Sequence, residues 1–365
     1  MTIATIHARN PNDALLRGLQ TLRGNCVLAE SRNGSVAVHA GPVVTSTRNV
    51  RERVLFSPLR DANPFFHLTE ALWMLAGRNE IAPLTAIVSS FGDFSDDGVT
   101  MPAAYGHRWR HHFGHDQLLE AIGLLKANPL SRQVVMAMWD PGYDVGWDHE
   151  SAGGRICNPG DLMKQTKDKP CNTQIYFDAT RGPLDMTVTC RSNDAVWGAH
   201  GANAVHFSVL HEFVAAATGL QLGTMYQFSN NYHIYTERPD VQRLFNARTG
   251  VVAYETVDYY SFRDSKEHGF LPVRPTPLVA EGETYEDLLA DCARLFDGQD
   301  YWLTSKTRFF DQVYLPMMNL YWQWKVDKRE RDDILHYAAT HMQPDNDWHV
   351  AAIEWIQRRL GRKMR

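Results

Sequence analysis

Cysteine is scarce in this chain and patterned for nothing structural. Its 365 residues carry five, at 26, 157, 171, 190 and 292, an odd number, widely spaced and without a CxxC pair. Neither a disulfide framework nor a structural zinc site fits, and a reducing cytoplasm is the simplest setting. A basic excess is also missing. Lysine and arginine number 37 against 42 acidic residues, a net charge of -5, so no polymeric nucleic acid is expected as a partner. No apolar run reaches membrane-spanning length, and MTIATIHARNPND lacks the pattern of a signal peptide, so no membrane is expected either. Internal repeats and low-complexity segments are absent. What is present is an ordinary 44% of apolar residues, which excludes general disorder and suits a soluble globular protein. This length allows two domains, or one large domain with an appendage.

Along the chain, a short helix is expected over Asp13–Leu22, then strands broken by turns at Asn33-Gly34 and Gly41-Pro42. Asn63-Pro64 opens a helix, PFFHLTEALWMLAG, stopped at Gly77 and apolar on nearly every face. Glu70 therefore lies in an apolar setting, where its carboxyl should rise in pKa unless it finds a partner. FGDFSDDGVTMPAAYG reads as a loop, DQLLEAIGLLKANP as a helix, RQVVMAMWD as a strand and residues 141–169 as a long insertion loop. Strands around Cys171 and over Leu184–Arg191 follow, then a helix from Asn203 to Gly219. An irregular connection covers 241–282, and residues 283–361 read as almost wholly helical. The resulting domain division is 1–240, 241–282 and 283–365.

Chemistry concentrates in two places. KPCNTQIYF holds Cys171, and LDMTVTCRSNDAVWGAHGANAVHF holds Arg191, Ser192 and Asp194. Both segments have strand-like patterns, so Cys171 and Arg191 are expected on adjacent strands. A guanidinium beside a thiol favours the thiolate, the nucleophilic form. Arginine with a neighbouring serine hydroxyl offers a phosphate a planar fork and one more donor. The two together describe an enzyme that attacks a phosphate-bearing molecule.

Several motifs in order, RDANPFFHLTEALWMLAG, YGHRWR, NPLSRQ, PCNTQIYF, RSNDAVWGAHGANAVHF and HIY, make residues 30–236 resemble the thymidylate synthase family of folate-dependent pyrimidine nucleotide C5-transferases. The resemblance implies an α/β (α+β) fold with a large bent mixed sheet and flanking helices, to which this chain adds a helical C-terminal extension. It implies a homodimer, 5,10-methylenetetrahydrofolate as cofactor and a deoxypyrimidine monophosphate such as dUMP as substrate. Cys171 matches the nucleophile that adds to C6 of the base. Arg191 and Ser192 match phosphate ligands, Arg32 the mobile phosphate arginine, and Arg132 the arginine lent by the partner subunit. Asn203 matches the amide that reads O4 and N3 of uracil, although GAHGAN carries one extra residue. His233 and Tyr235 match the pair holding the 3′-hydroxyl. Glu70 matches the glutamate that organises water for proton transfer, and Tyr105 the tyrosine that helps move the C5 proton. Asp194 matches the pterin partner, with Gly198, Phe91 and Phe94 beside the folate.

Departures from the family pattern carry information. Asn172 stands where histidine is usual, Gln133 where a second arginine is, and Cys190 where glutamine is. Two tryptophans that shield the reactive methylene are replaced by Phe91 and Phe94, and the chain ends as the basic IQRRLGRKMR instead of a short apolar cap. A site that admits water yields a 5-hydroxymethyl nucleotide, whereas a sealed site yields thymidylate. The reading leans to hydroxymethylation of dUMP, as in virus-encoded members, which places the enzyme in a host cytoplasm. Thymidylate synthesis and dCMP hydroxymethylation are the alternatives within the family. Outside it stand an inactive nucleotide-binding protein and a thiol hydrolase, which needs a histidine beside Cys171.

Overall fold

The computed structural model describes residues 3–147, 155–247, 259–260, 272–298 and 305–362. Much of the irregular connection expected over 241–282, and the last residues of the basic tail, lie outside these ranges.

The chain opens with strand β1 (Ala4–Ala8) and helix α1 (Pro11–Gly24). This helix starts two residues earlier than expected. Asn10 accepts hydrogen bonds from the amides of Asn12 and Asp13, and Pro11 has no amide hydrogen to satisfy. Strands β2 (Cys26–Ser31), β3 (Gly34–His39) and β4 (Val43–Thr47) follow, broken at the two predicted turns. Helix α2 (Pro64–Leu75) is capped by the Asn63 side chain, and Gly77 turns the chain away at φ +71°. All of α2 except Phe66 is buried, as its apolar circumference requires.

Helix α3 (Ala82–Thr85) leads to a 3₁₀ turn over Ser89–Phe94, which overlaps the start of the segment expected to be a loop. Helices α4 (Tyr105–Arg110) and α5 (Gln117–Ala127) precede β5 (Val135–Ala137), only three residues of the expected strand. The supposed insertion loop holds an antiparallel hairpin, β6 (Gly142–Trp147) and β7 (Arg155–Pro159). Among the described residues these two strands pair only with each other, and a ribbon outside a larger sheet does not need the apolar alternation that reveals a strand in sequence.

Strands β8 (Asn172–Asp178), β9 (Leu184–Cys190) and β10 (Asn193–Asp194) come next, then a π-helical segment over Ala195–Ala202 that runs into α6 (Asn203–Thr218). Strands β11 (Leu222–Ser229) and β12 (Tyr232–Tyr235) and helix α7 (Pro239–Asn246) follow. The C-terminal part is helical as expected: α8 (Tyr285–Phe296), a π turn at Phe310–Tyr314, α9 (Leu315–Lys325), α10 (Arg331–His341) and α11 (Asp347–Arg362).

Six strands form a mixed sheet in the order β1-β4-β11-β9-β8-β5, and four more form the sheet β10-β12-β3-β2. The parallel pair β9–β11 leaves the first sheet and continues in the second as the parallel pair β10–β12. Short bridges join the two: the Asn230 amide donates to Cys190 O, and the Asn193 amide to Asn231 O. This is the predicted large bent sheet, and Arg191 and Ser192 occupy the bend. One continuous core joins Phe65 and Leu72 of α2 with Phe207 of α6 and with Leu288, Met317, Tyr321 and Ile356 of the C-terminal helices. Arg358 and Arg359 of α11 also grip Asp61, just before α2.

Candidate active site

Cys171 and Arg191 sit immediately beyond the paired ends of β8 and β9, where Asn172 lies opposite Cys190. The Arg191 amide donates to Cys171 O at 2.9 Å, so the expectation of adjacent strands holds. The Arg191 guanidinium is aimed by two carbonyls, Nε to Pro170 O at 2.9 Å and Nη2 to Lys169 O at 3.0 Å. It also lies 5.7 Å from the Trp139 ring. Ser192 follows, half-buried. The ladder is irregular between Asn172 and Gln174, and the fully buried Asn172 side chain donates to Gln174 O and Thr189 O across this irregularity. Asn172 therefore props the turn that presents Cys171, a role its sequence context did not reveal.

The segment before the thiol is latched elsewhere. Buried Arg108, from YGHRWR, holds Asp161 through both nitrogens at 2.6 and 2.8 Å. Asp168 accepts from the Ala103 amide at 2.8 Å. Burial pushes the Asp168 carboxyl up to about 6, against that amide and Arg108.

The expected sign of the Cys171 shift is reversed. Burial pushes the thiol above its ordinary value, and Arg191 only opposes this, with Arg32 helping and Asp168 and Asp194 working against them. Desolvation outweighs the guanidinium, a balance invisible to a reading of neighbouring residue types. Tyr105 lies beside the thiol, its phenol held well above the ordinary range by burial and by Cys171 and Cys190. Its ring stacks on Phe207, centroids 5.8 Å apart and planes 8° from parallel.

The other wall is built from the start of α6. Asp194 caps the π segment, Oδ1 accepting from the amides of Val196, at 2.9 Å, and Trp197. Its Oδ2 is buried without a hydrogen-bond partner among the described residues, and burial pushes the carboxyl up. The π segment accounts for the extra residue in GAHGAN: the Asn203 amide bonds Gly198 O, five residues back, so one surplus residue is absorbed by wider winding. Asn203 is buried and donates through Nδ2 to Asn193 Oδ1 at 3.0 Å, while Asn193 donates to Ser229 Oγ at 3.0 Å. A Cβ on Gly198 would stand 2.8 Å from Asn193 Oδ1, so glycine is needed for this approach. His233 pairs in register with Asp194, bonds Asn231 Oδ1 at 2.8 Å and meets Tyr235 edge-on.

Glu70 found the partner its setting required. His206, three residues beyond Asn203 on α6, bonds Glu70 Oε2 through Nε2 at 2.8 Å, both side chains buried. Asn193 and His206 carried no role in the sequence; the i, i+3 spacing from Asn203 was the available signal for the histidine.

Other expected residues lie at the margins. Arg32 is exposed, donating to Lys167 O at 3.1 Å on the Cys171 side. Phe91 turns inward against Phe66 and Trp73, whereas Phe94 is 54% exposed. Arg132 is exposed and lines an open depression with Asn128, Leu130, Ser131 and Gln133, apart from the Cys171 cluster.

Residues 59–251 match the family model described as thymidylate synthase, just over half of the chain. The chain belongs to the thymidylate synthase family. It is 38% identical to a deoxyuridylate hydroxymethyltransferase of Pseudomonas phage M6, over 97% of this chain and 94% of that protein. It is 34% identical to the protein of the same name from Bacillus phage SP01, over 56% of this chain and 53% of that one. The crystal structure of thymidylate synthase from T4 phage aligns with a TM-score of 0.48 and 19% identity, over 62% of this chain and 78% of that one.

Proposed function

We propose that this member of the thymidylate synthase family converts deoxyuridylate to its 5-hydroxymethyl derivative through a covalent Cys171 adduct. The chain is a folate-dependent pyrimidine nucleotide C5-transferase. The observation that carries the residue assignment is the backbone join of Cys171 to Arg191, which supports reading the pair as a nucleophile beside a phosphate clamp. Likeness along nearly the whole chain to a phage deoxyuridylate hydroxymethyltransferase supports the choice of product.

The residues divide the work as follows. Arg191, Ser192 and Arg32 receive the phosphate, and Arg132 completes that site from the second subunit of a homodimer. Cys171 Sγ adds to C6, and the displaced electrons collect on C5 and O4, which turns C5 into a nucleophile. Asn203 gives one amide hydrogen to Asn193, which fixes the amide plane. Its second hydrogen is left for O4 and its oxygen for N3–H, the pattern of uracil and the reverse of cytosine. His233 and Tyr235 hold the 3′-hydroxyl. Glu70 and Tyr105 handle the protons.

The folate site is tested by Asp194 Oδ2, a buried acceptor without a hydrogen-bond partner among the described residues. An acceptor in that state suits the N–H donors of a pterin, with Gly198, Phe91 and Phe94 alongside. When bound, methylenetetrahydrofolate supplies the one-carbon unit. Phe91 is partly buried against the core and Phe94 is largely exposed, an arrangement that supports a site open to water.

Residues 1–240 form the catalytic part, 241–282 the connection and 283–365 a helical extension. Among the described residues no helix is long and apolar enough to cross a membrane, and we place the enzyme in the cytoplasm of a host cell.

The test is product mass after incubation with deoxyuridylate and methylenetetrahydrofolate, with absorbance followed for dihydrofolate. A hydroxymethyl gain without dihydrofolate is the expected result. Thymidylate with one dihydrofolate per turnover would overturn the product assignment, and turnover of deoxycytidylate alone would overturn the role of Asn203.

A further inference from the structure

We infer that His206 is the general base that activates the attacking water, with Glu70 fixing its tautomer. This rests on the hydroxymethylating function proposed above. His206 is 3% exposed, yet only one of its ring nitrogens is satisfied. Nε2 lies 2.8 Å from Glu70 Oε2. A carboxylate accepts hydrogen bonds, so the Nε2–H tautomer is assigned to His206, which leaves the lone pair on Nδ1. Nδ1 is buried and has no hydrogen-bond partner among the described residues. A buried acceptor left in this state costs about 1–3 kcal/mol unless something donates to it.

The position of the ring says what that donor is. On α6, Asn203, His206 and Phe207 fall at i, i+3 and i+4, one face of the helix. Asn203 leads this face on the side of Asp194, and Phe207 stacks on Tyr105 beside the Cys171 thiol. His206 thus stands between the amide that reads the base and the ring that backs the nucleophile. On the far side His67, one turn before Glu70 on α2, is held neutral by burial with Arg60 and His206 adding to the effect, so no second cation competes for the Glu70 carboxylate there.

The step balances without any oxidant or reductant. After the one-carbon unit is in place as an exocyclic methylene at C5, the water oxygen forms the new C–O bond to that carbon. One water proton passes to Nδ1, and the resulting imidazolium is stabilised by Glu70 at Nε2. The methylene π pair moves to C5 and O4. It then forms C5=C6 as the C6–Sγ bond breaks, and Cys171 leaves as thiolate. Nδ1 returns its proton to the thiolate or to solvent. A carboxylate–imidazole–nucleophile line of this kind works by orientation and charge stabilisation.

His206→Gln keeps an amide donor for Glu70 and removes the base. Two readouts separate the outcomes: formation of the hydroxymethyl product, and exchange of the C5 hydrogen of deoxyuridylate with D2O in the absence of folate, which needs reversible thiol addition and proton transfer at C5 but no attack of water on a methylene. The variant should lose about 10²–10⁴-fold in product formation and keep its C5 exchange rate within a few-fold. Unchanged product formation, or equal loss of both rates, would overturn the inference. Nitrogen-15 spectra of the imidazole provide an independent check in the free wild-type enzyme. They should show His206 protonated at Nε2, and protonation at Nδ1 would overturn the inference outright. If the wild-type enzyme makes no hydroxymethyl product, the proposed function fails first and this base with it.

Discussion

The main-chain amide of Arg191 donates to the carbonyl of Cys171 at 2.9 Å, so the two residues are registered by backbone before any side chain acts. Movement of one strand end carries both. The Arg191 and Cys171 backbones therefore keep a fixed separation.

That separation sets an electrostatic expectation. Burial raises the Cys171 thiol and Arg191 opposes the rise. Alkylation of the free enzyme by iodoacetamide should accelerate as pH climbs through the alkaline range. Arg191→Ala should move the midpoint further up and slow alkylation at pH 8. A midpoint unchanged by the substitution would mean that Arg191 does not act on the thiol. Cys171→Ser should abolish both turnover and folate-free C5 exchange.

Asn203 is only as well placed as Asn193 allows, and Gly198 makes room for both. Gly198→Ala should push Asn193 aside and release the amide, lowering kcat/KM for deoxyuridylate about tenfold, the loss of roughly one hydrogen bond. The urea midpoint should move little, since the displaced group is a side-chain tip. Steady-state kinetics beside urea denaturation checks the split.

Glu212 accepts from Arg51 at 2.7 Å and from buried Arg53. Arg53→Met should destabilise the protein by about 3–5 kcal/mol, because it leaves part of a buried charge uncompensated. Restoring balance with Glu212→Gln in the same chain should recover part of the loss. Chemical denaturation of the three variants measures the coupling.

Asp347, at the start of α11, is 1% exposed, and burial raises its carboxyl to about 7 while Tyr260 and the Trp348 amide donate to it. An acid whose folded pKa exceeds its unfolded value binds its proton more tightly when folded. Its ionisation therefore subtracts stability progressively from about pH 4 upward, in full above about pH 7, and costs nothing below about pH 4. Asp347→Asn should gain stability over the wild type at pH 8, on the order of 3–4 kcal/mol at most. The gain should shrink as pH falls and vanish near pH 4. Urea melts at pH 8, 6 and 4 decide it, and a constant difference would exclude titration of Asp347 as the cause.

Legibility in the sequence followed physical cause. Asn63-Pro64 and Gly219 marked helix ends because caps and left-handed turns demand particular residues, and both stand where expected. The strand pairing of Cys171 with Arg191 was readable because alternation reports a buried sheet face. The paired strands at 142–147 and 155–159 were not, because among the described residues they join no larger sheet. The Cys171 shift was misread in sign because neighbouring charge is visible in sequence while desolvation is a property of the packed site. His206 and Asn172 escaped for a related reason. Their partners, Glu70 and Thr189, are distant in sequence, and only folding supplies them.

The wide winding before Asn203 has a consequence for comparing relatives. Because the Asn203 amide reaches back five residues to Gly198, the angular position of that side chain is set by how the backbone coils between Asp194 and α6 and cannot be read from the number of residues between them. A gap-free alignment anchored on the aspartate would place Ala202, one position early, where the proposed base-reading Asn203 belongs. Substrate choice among such proteins is better inferred from the winding of this turn than from column identity alone.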